Sequence, residues 1–212
     1  MNKELKKEIA IDLHTIGAVK FGEFTFKSGV ASPIYIDLRL LISYPRVLKK
    51  VIKLYEEMLG SLTYDRLAGV AYGALPITGA ISFELERPWI FLRKEALQKA
   101  YGLEKSLEGE YKKGETAVMI EDLVTYATSL LETIPVIEQH GLIVKDAVAL
   151  IDYEKGGREV LQKKGYNLYS AITMREIMDI LFSEQMIHKR MYDLAQDFIS
   201  KKELTNAAKI AN

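Results

Sequence analysis

The stretch Val118-Met119-Ile120-Glu121-Asp122-Leu123-Val124-Thr125-Tyr126-Ala127-Thr128-Ser129 decides the fold. An apolar run that begins at Thr116 ends in two carboxylates, passes through a hydroxyl-rich turn, and enters the helical spacing of Ser129 to His140. That order predicts a strand, a turn and a helix, the repeating unit of an α/β sheet. Backbone N–H groups at the helix start, assisted by the Thr125, Thr128 and Ser129 hydroxyls, can hold a phosphate. Glu121 and Asp122 can hold ribose hydroxyls or, through water, Mg²⁺ on a pyrophosphate. The same residues also fit a solvated strand end with Thr128 or Ser129 as N-cap, and the stretch alone leaves both open. Pro135, inside the helix, predicts a local bend.

Outward from this unit, the same alternation continues in both directions. Upstream, Arg66 to Ala71 reads as a strand, Leu75 to Glu86 as a helix and Pro88 to Lys94 as a strand. Glu95 to Gly114 is polar, has no clear period, and reads as a mobile loop. Downstream, Ile143 to Asp152 is an apolar strand, Gly157 to Lys164 a helix, Tyr166 to Thr173 a last strand, and the sequence from Met174 onward is helical. Nearer the start, Leu5, Ile9, Leu13 and Ile16 mark an amphipathic helix. Phe21 to Phe26 reads as extended, Lys27-Ser28-Gly29 as a turn, Ile34 to Arg39 alternates as a strand, and Val47, Val51, Leu54 and Met58 mark a second helix. Strands alternating with helices predict a mostly parallel sheet covered on both faces. In such sheets ligands bind beyond the carboxyl ends of the strands. The residues to watch are therefore Tyr72-Gly73, Arg93-Lys94, and the turns after Asp122 and Asp152.

Composition narrows the function classes. The 212 residues carry 29 Lys and Arg against 29 Asp and Glu, which gives no general pull toward nucleic acid or membrane. A local basic cluster can still recruit a phosphorylated metabolite. There is no cysteine, so disulfides, thiolate metal sites and cysteine nucleophiles are excluded. No apolar run is long enough to span a bilayer and the charged start lacks a signal peptide's apolar region, so the expected location is cytoplasmic. His14, His140 and His188 lack metal-ligand spacing. His140 precedes Gly141 at a helix end, where a cation favours the dipole.

The apolar strand, Glu121-Asp122, two apolar residues, Thr125 and then Ser129 resemble the phosphoribosyl-pyrophosphate (PRPP) motif of type I phosphoribosyltransferases. Further segments resemble the orotate phosphoribosyltransferases in particular, in order from about Phe21 to Leu181. They are Phe21 to Gly29, Ser32-Pro33-Ile34-Tyr35-Ile36-Asp37-Leu38-Arg39, Gly69 to Pro76, Arg93-Lys94-Glu95-Ala96, Leu107-Glu108-Gly109, and Asp146 through Glu159. The resemblance implies one phosphoribosyltransferase domain over residues 1–212, with an N-terminal helix and small hood in 1–40, a mobile catalytic loop, and a helical extension over 182–212. It implies transfer of a phosphoribosyl group from PRPP to orotate, giving orotidine 5′-phosphate and pyrophosphate in pyrimidine biosynthesis. The implied partners are these small molecules and a second copy of the chain, with Mg²⁺ as cofactor carried mainly by PRPP and water rather than by protein ligands.

Residue by residue, the resemblance implies that Lys27 approaches base and pyrophosphate, and that main-chain groups near Ile34 and Tyr35 contact the pyrimidine. Tyr35 also fits a packed strand residue. Tyr72, Arg93 and Lys94 would line the pyrophosphate site, Arg93 by bidentate hydrogen bonds and Lys94 as a compact charge. Glu121 and Asp122 would stabilise the ribose hydroxyls and a cationic transition state. Thr125, Tyr126, Ala127, Thr128 and Ser129 would form the phosphate turn. Lys99-Ala100-Tyr101-Gly102 matches the family's lid string if two residues are inserted after Ala96. Lys99 and Lys105 would then stabilise departing pyrophosphate, Lys99 serving the neighbouring subunit's site; both also fit a solvated loop.

Two departures bear on substrate. Small residues and glycine in the family give way to Tyr126, Ala127 and Thr128, which narrows a phosphate cradle. After Asp152 the family has an arginine that pairs with the orotate carboxylate, and here stands Tyr153, which offers one neutral hydrogen bond. Lys155 and Arg158 are the nearest cations that could replace it. These departures keep open a transferase for another base, or a catalytically impaired ligand-binding or regulatory homologue.

Overall fold

A computed structural model describes residues 2–25, 29–93 and 106–201. The chain opens with α1 (Lys3–Thr15), where the Asn2 side chain accepts hydrogen bonds from the first-turn N–H groups of Glu4 and Leu5. Strands β1 (Val19–Thr25) and β2 (Ala31–Ile36) pair antiparallel as a separate two-stranded hood. A 3₁₀ helix (Leu38–Ser43) leads to α2 (Pro45–Leu59), which starts on Pro45, a residue that lacks the N–H a helix start leaves unbonded.

The main sheet is built from β3 (Arg66–Gly69), β4 (Trp89–Leu92), β5 (Leu107–Glu108), β6 (Thr116–Val124), β7 (Ile143–Asp152) and β8 (Asn167–Thr173). Their spatial order is β5-β4-β3-β6-β7-β8, with β5 antiparallel to β4 and all other pairs parallel. Helices α3 (Leu75–Leu85), α4 (Thr128–Gln139), α5 (Gly157–Lys163) and α6 (Met174–Ser183) follow β3, β6, β7 and β8, and α7 (Lys189–Ser200) closes the described chain.

The period of two in the strands divides the core. Val118, Ile120, Val148 and Leu150 pack with α1, α2, α3, α6 and α7 on one face, while Ala117, Met119, Ala147 and Ala149 pack with α4 and α5 on the other. The expected mostly parallel sheet with helices on both faces is what the chain forms.

Several boundaries differ. Within the span expected to be loop, Leu107–Glu108 forms a two-residue strand. The final helical stretch is two helices, interrupted at 184–188, with Gln185 in the left-handed region at φ 58°. On the second, Phe198 is buried and Leu194 is half exposed. Pro135 lies inside a helix that runs without interruption from Thr128 to Gln139. His140, the C-cap of α4, is structural rather than surface. Its ring is buried, with Nε2 2.8 Å from the Ser106 hydroxyl and Nδ1 2.8 Å from that of Tyr111, and burial lowers its pKa, favouring the neutral ring.

Candidate active site

The carboxyl ends of β3, β6 and β7 converge on one region. There β6 carries Glu121 and Asp122, and its path is fixed from below by Tyr55 of α2, whose hydroxyl donates to the Glu121 carbonyl at 2.7 Å. The two acids are not equivalent. The Glu121 side chain is buried, its Oε1 accepting from the Asp122 N–H at 3.1 Å, and burial, reinforced by the neighbouring Asp122 charge, pushes its carboxyl well above the usual range. Asp122 is pushed up by burial too. Hydrogen bonds from Glu121 and from the Leu123 N–H (2.8 Å), and the charge of Arg39, pull it back. Both carboxyls are thus raised by burial, Glu121 the more strongly, so the buried pair holds a proton more readily than two free carboxylates would.

The loop after β3 lies directly on Asp122. A Cβ at Gly73 would stand 2.1 Å from Asp122 Oδ2, so any side chain there would displace the Asp122 carboxylate. The Ala71–Tyr72 peptide in this loop is cis, and the Tyr72 side chain is 54% exposed. The turn after β6 is held by the loop after β7: Tyr153 N–H donates to the Val124 carbonyl at 2.8 Å and Gly157 N–H to the Thr125 carbonyl at 3.1 Å. A Cβ at Gly157 would meet Val124 Cγ1 at 2.7 Å, Thr125 O at 2.9 Å and Ala127 N at 3.0 Å. Thus the two loops pack backbone to backbone.

Ala127, not Thr128 or Ser129, is the N-cap of α4, and it sits at φ 61° with no side-chain cap bond. The alanine holds the left-handed conformation that glycine takes without strain. Thr125, Tyr126 and Thr128 are half-buried and Ser129 is exposed around the helix start, whose first N–H groups have no partners within the helix. The partly positive start of α4 follows the Glu121–Asp122 pair by a short turn, giving the region separate places for an anion and for a cation or hydroxyls.

On the hood, Ile34 has its main chain engaged by the protein itself. Its N–H donates to Ser32 Oγ at 3.2 Å, and its carbonyl accepts from Ser32 Oγ at 2.7 Å and from the Tyr153 hydroxyl at 3.1 Å. Tyr153 is 1% exposed, so it faces the protein interior rather than an open pocket. Neither nearby cation replaces the family's arginine. Lys155 is buried against α7, and Arg158 is bound to Asp152 (3.0 Å), the Leu168 carbonyl and Ser170. Tyr35 is half-buried, its ring 5.4 Å from that of Phe24 and its hydroxyl accepting from Arg39 at 3.2 Å. Arg93 is exposed and pairs with Glu108 of β5. Lys27, Lys94, Lys99 and Lys105 lie outside the described residues.

The structure thus gathers Tyr72, Glu121, Asp122 and the 125–129 turn, and sets Ile34 and Tyr153 against each other. Site reasoning from sequence singled out Gly73 beside Tyr72 but gave no site role to Gly157, Tyr55 or Arg39. Gly157 had a signal, since it lies in a loop at a strand's carboxyl end. Tyr55 had none, because its spacing on α2 reads as core.

Fold and site together define a class, the phosphoribosyl transferase domain, and the family of that description matches residues 41–178. Orotate phosphoribosyltransferase of Caenorhabditis elegans is 38% identical over 186 residues, which cover 86% of this chain and 81% of that protein. The structure of orotate phosphoribosyltransferase from Aeropyrum pernix superimposes with a TM-score of 0.73 at 30% identity, covering 82% of this chain and 99% of that one. That of Leishmania donovani UMP synthase gives a TM-score of 0.86 at 35% identity, over 92% of this chain and 42% of the other. The chain belongs to the orotate phosphoribosyltransferase family. It spans only about two fifths of relatives such as the Bifunctional enzyme PyrF/PyrE of Nostoc (38%) and the Uridine 5′-monophosphate synthase of Bos taurus (41%). Among the described residues no helix is long and apolar enough to cross a membrane.

Proposed function

We propose that the chain transfers the phosphoribosyl group of PRPP to orotate, releasing pyrophosphate and forming orotidine 5′-phosphate, as a pentosyltransferase of pyrimidine biosynthesis. The observation that carries this is the Glu121–Asp122 pair at the end of β6, followed by the turn into α4 and covered by the Gly73 loop, in a chain of this family. The 5′-phosphate would lie on the N–H groups and hydroxyls of 125–129. Asp122 would hold the ribose hydroxyls and stabilise positive charge at the anomeric carbon as its bond to pyrophosphate breaks. No protein nucleophile is needed, and positioning of the two substrates supplies much of the rate.

A divalent cation fits this site, because a carboxylate pair forced together under burial gains from a nearby positive charge. Mg²⁺ would be held by PRPP oxygens and, through water, by Asp122, and when bound it neutralises charge on the leaving pyrophosphate. Lys27, Tyr72, Arg93 and Lys94 complete the proposed pyrophosphate and base contacts, and Lys99, with Lys105, the proposed lid. The working unit is proposed to be a homodimer in the cytoplasm in which Lys99 serves the partner's site.

Tyr153 supports a second reading. With the carboxylate-pairing arginine replaced by an inward hydroxyl, an uncharged pyrimidine becomes an alternative acceptor. The test is loss of orotate absorbance with PRPP and Mg²⁺, with uracil run in parallel and Asp122→Asn as control. Turnover of orotate that collapses in the control is expected. Turnover of uracil alone would shift the assignment to the neutral base, and turnover of neither by folded protein would sink both.

A further inference from the structure

Three consecutive residues leave the end of β7 in three directions. Tyr153 turns inward and donates its hydroxyl to the Ile34 carbonyl at 3.1 Å. Glu154, at φ 57°, turns toward the start of α6, where its carboxylate accepts from the Arg175 N–H at 3.1 Å. Lys155 reaches to the far end of α7. Its ammonium donates to the carbonyls of Phe198 (2.7 Å) and Lys201 (2.6 Å) and lies 4.0 Å from the centre of the Phe198 ring.

Lys155 is 4% exposed. A buried ammonium is costly unless its donors are satisfied, and here helix-end carbonyls, the negative end of the α7 dipole and an aromatic face all meet it. That geometry commits the ammonium to the end of α7. It also ties α7 to the 153–156 loop. The same helix lines a cleft with the hood, Met191 and Leu194 facing Phe21, Phe24 and Pro33. The hub therefore lies between the C-terminal helix and the hood strand that carries Ile34.

We propose that Lys155 is a positioning residue for the base side of the site: by clamping the C-terminal end of α7 it fixes the 153–156 backbone, and through Tyr153 the main chain of Ile34. The inference rests on the proposed transfer to a base, and on the base lying beside the Ile34–Tyr35 segment, as the family resemblance implies. A simple latch for α7 would loosen that helix and leave the hood unchanged.

The experiment compares wild type, Lys155→Met and Lys155→Arg by hydrogen–deuterium exchange and by steady-state kinetics. In Lys155→Met, exchange is expected to rise in segments 31–36 and 153–156 as well as in 189–201. KM for the base should rise about tenfold while KM for PRPP and kcat change less than about twofold, since a loosened contact surface weakens binding before chemistry. Lys155→Arg should recover most of both effects. Faster exchange confined to 189–201, or equal rises in both KM values, would overturn the proposal. If Lys155→Met does not fold, Phe198→Leu withdraws the ring beneath the same ammonium and is read by the same two measures. If wild type turns over no base at all, the proposed function falls, while exchange in 31–36 still decides whether Lys155 controls that strand.

Discussion

Burial and the neighbouring Asp122 hold the Glu121 carboxyl well above the ordinary carboxylate range; burial raises Asp122 as well, but there Glu121, Leu123 and Arg39 oppose it. Two adjacent acids in one motif thus take different work. Glu121→Gln imitates the protonated state, keeping an oxygen for the Asp122 N–H, so kcat/KM should fall less than about tenfold. Asp122→Asn removes the charge itself and should cost about 100-fold or more, the usual scale for losing one electrostatic contact to a transition state. The same asymmetry predicts a pH effect. The folded chain holds the Glu121 proton more tightly than the unfolded chain does. Its contribution to stability is therefore complete below the unfolded value, about 4.3, and is lost as pH rises through the raised folded value. Glu121→Gln should stabilise the protein at neutral pH and flatten the fall in stability with rising pH. Urea melts at several pH values measure this, and a variant less stable than wild type at pH 8 would contradict a protonated Glu121.

At the scale of elements, what holds the site is loop against loop. Gly157 touches the β6–α4 turn through two backbone atoms and Val124, none of which is the end of a flexible side chain. Gly157→Ala should therefore cost about 1–3 kcal/mol, the range for overpacking a tight contact. It should also raise KM for PRPP, because the displaced backbone is the proposed phosphate turn. Urea denaturation with parallel kinetics checks both, and loss of stability without change in KM would separate the turn from the phosphate. A second fixed joint lies below the site, where Arg66 of β3 grips Glu115 ahead of β6 at 2.7 and 2.8 Å. The Arg66 guanidinium, with the Lys112 N–H, lowers the Glu115 carboxyl from 4.5 to about 2. Its stabilisation is present above the unfolded value and is lost as pH falls toward about 2, so Glu115→Gln should blunt acid unfolding in that window.

These joints also mark what sequence could and could not disclose. The span Ile143–Asp152 was legible to the residue, because the continuous apolar run Ala147–Ile151 permits little but a buried strand. Leu107–Glu108 was not, since two residues cannot display a period. The break between α6 and α7 carries neither glycine nor proline, so nothing announces it. The acid pair and its turn were readable as a motif, yet the inward set of Tyr153 depends on Ser32 and Ile34, more than a hundred residues earlier in the chain.

For the whole molecule, the assembly of the site is the open physical question, and Lys99 and Asp122 allow it to be put directly. If the proposed lid lysine serves the partner's site, Lys99→Ala and Asp122→Asn damage different sites of a mixed dimer. One site then combines an intact Asp122 with an intact Lys99 from across the interface, and the other has neither. Two nearly inactive variants, unfolded together and refolded at equal concentration, should recover about a quarter of wild-type activity, since half the dimers are mixed and each has one working site. If the lysine serves its own subunit, every site in the mixture lacks one group and no activity returns. Size-exclusion chromatography with light scattering, run on the same mixture, shows whether dimers have formed. Mixed dimers without recovered activity would place the lid in its own subunit. A wild-type chain that is monomeric and fully active would remove the shared site altogether.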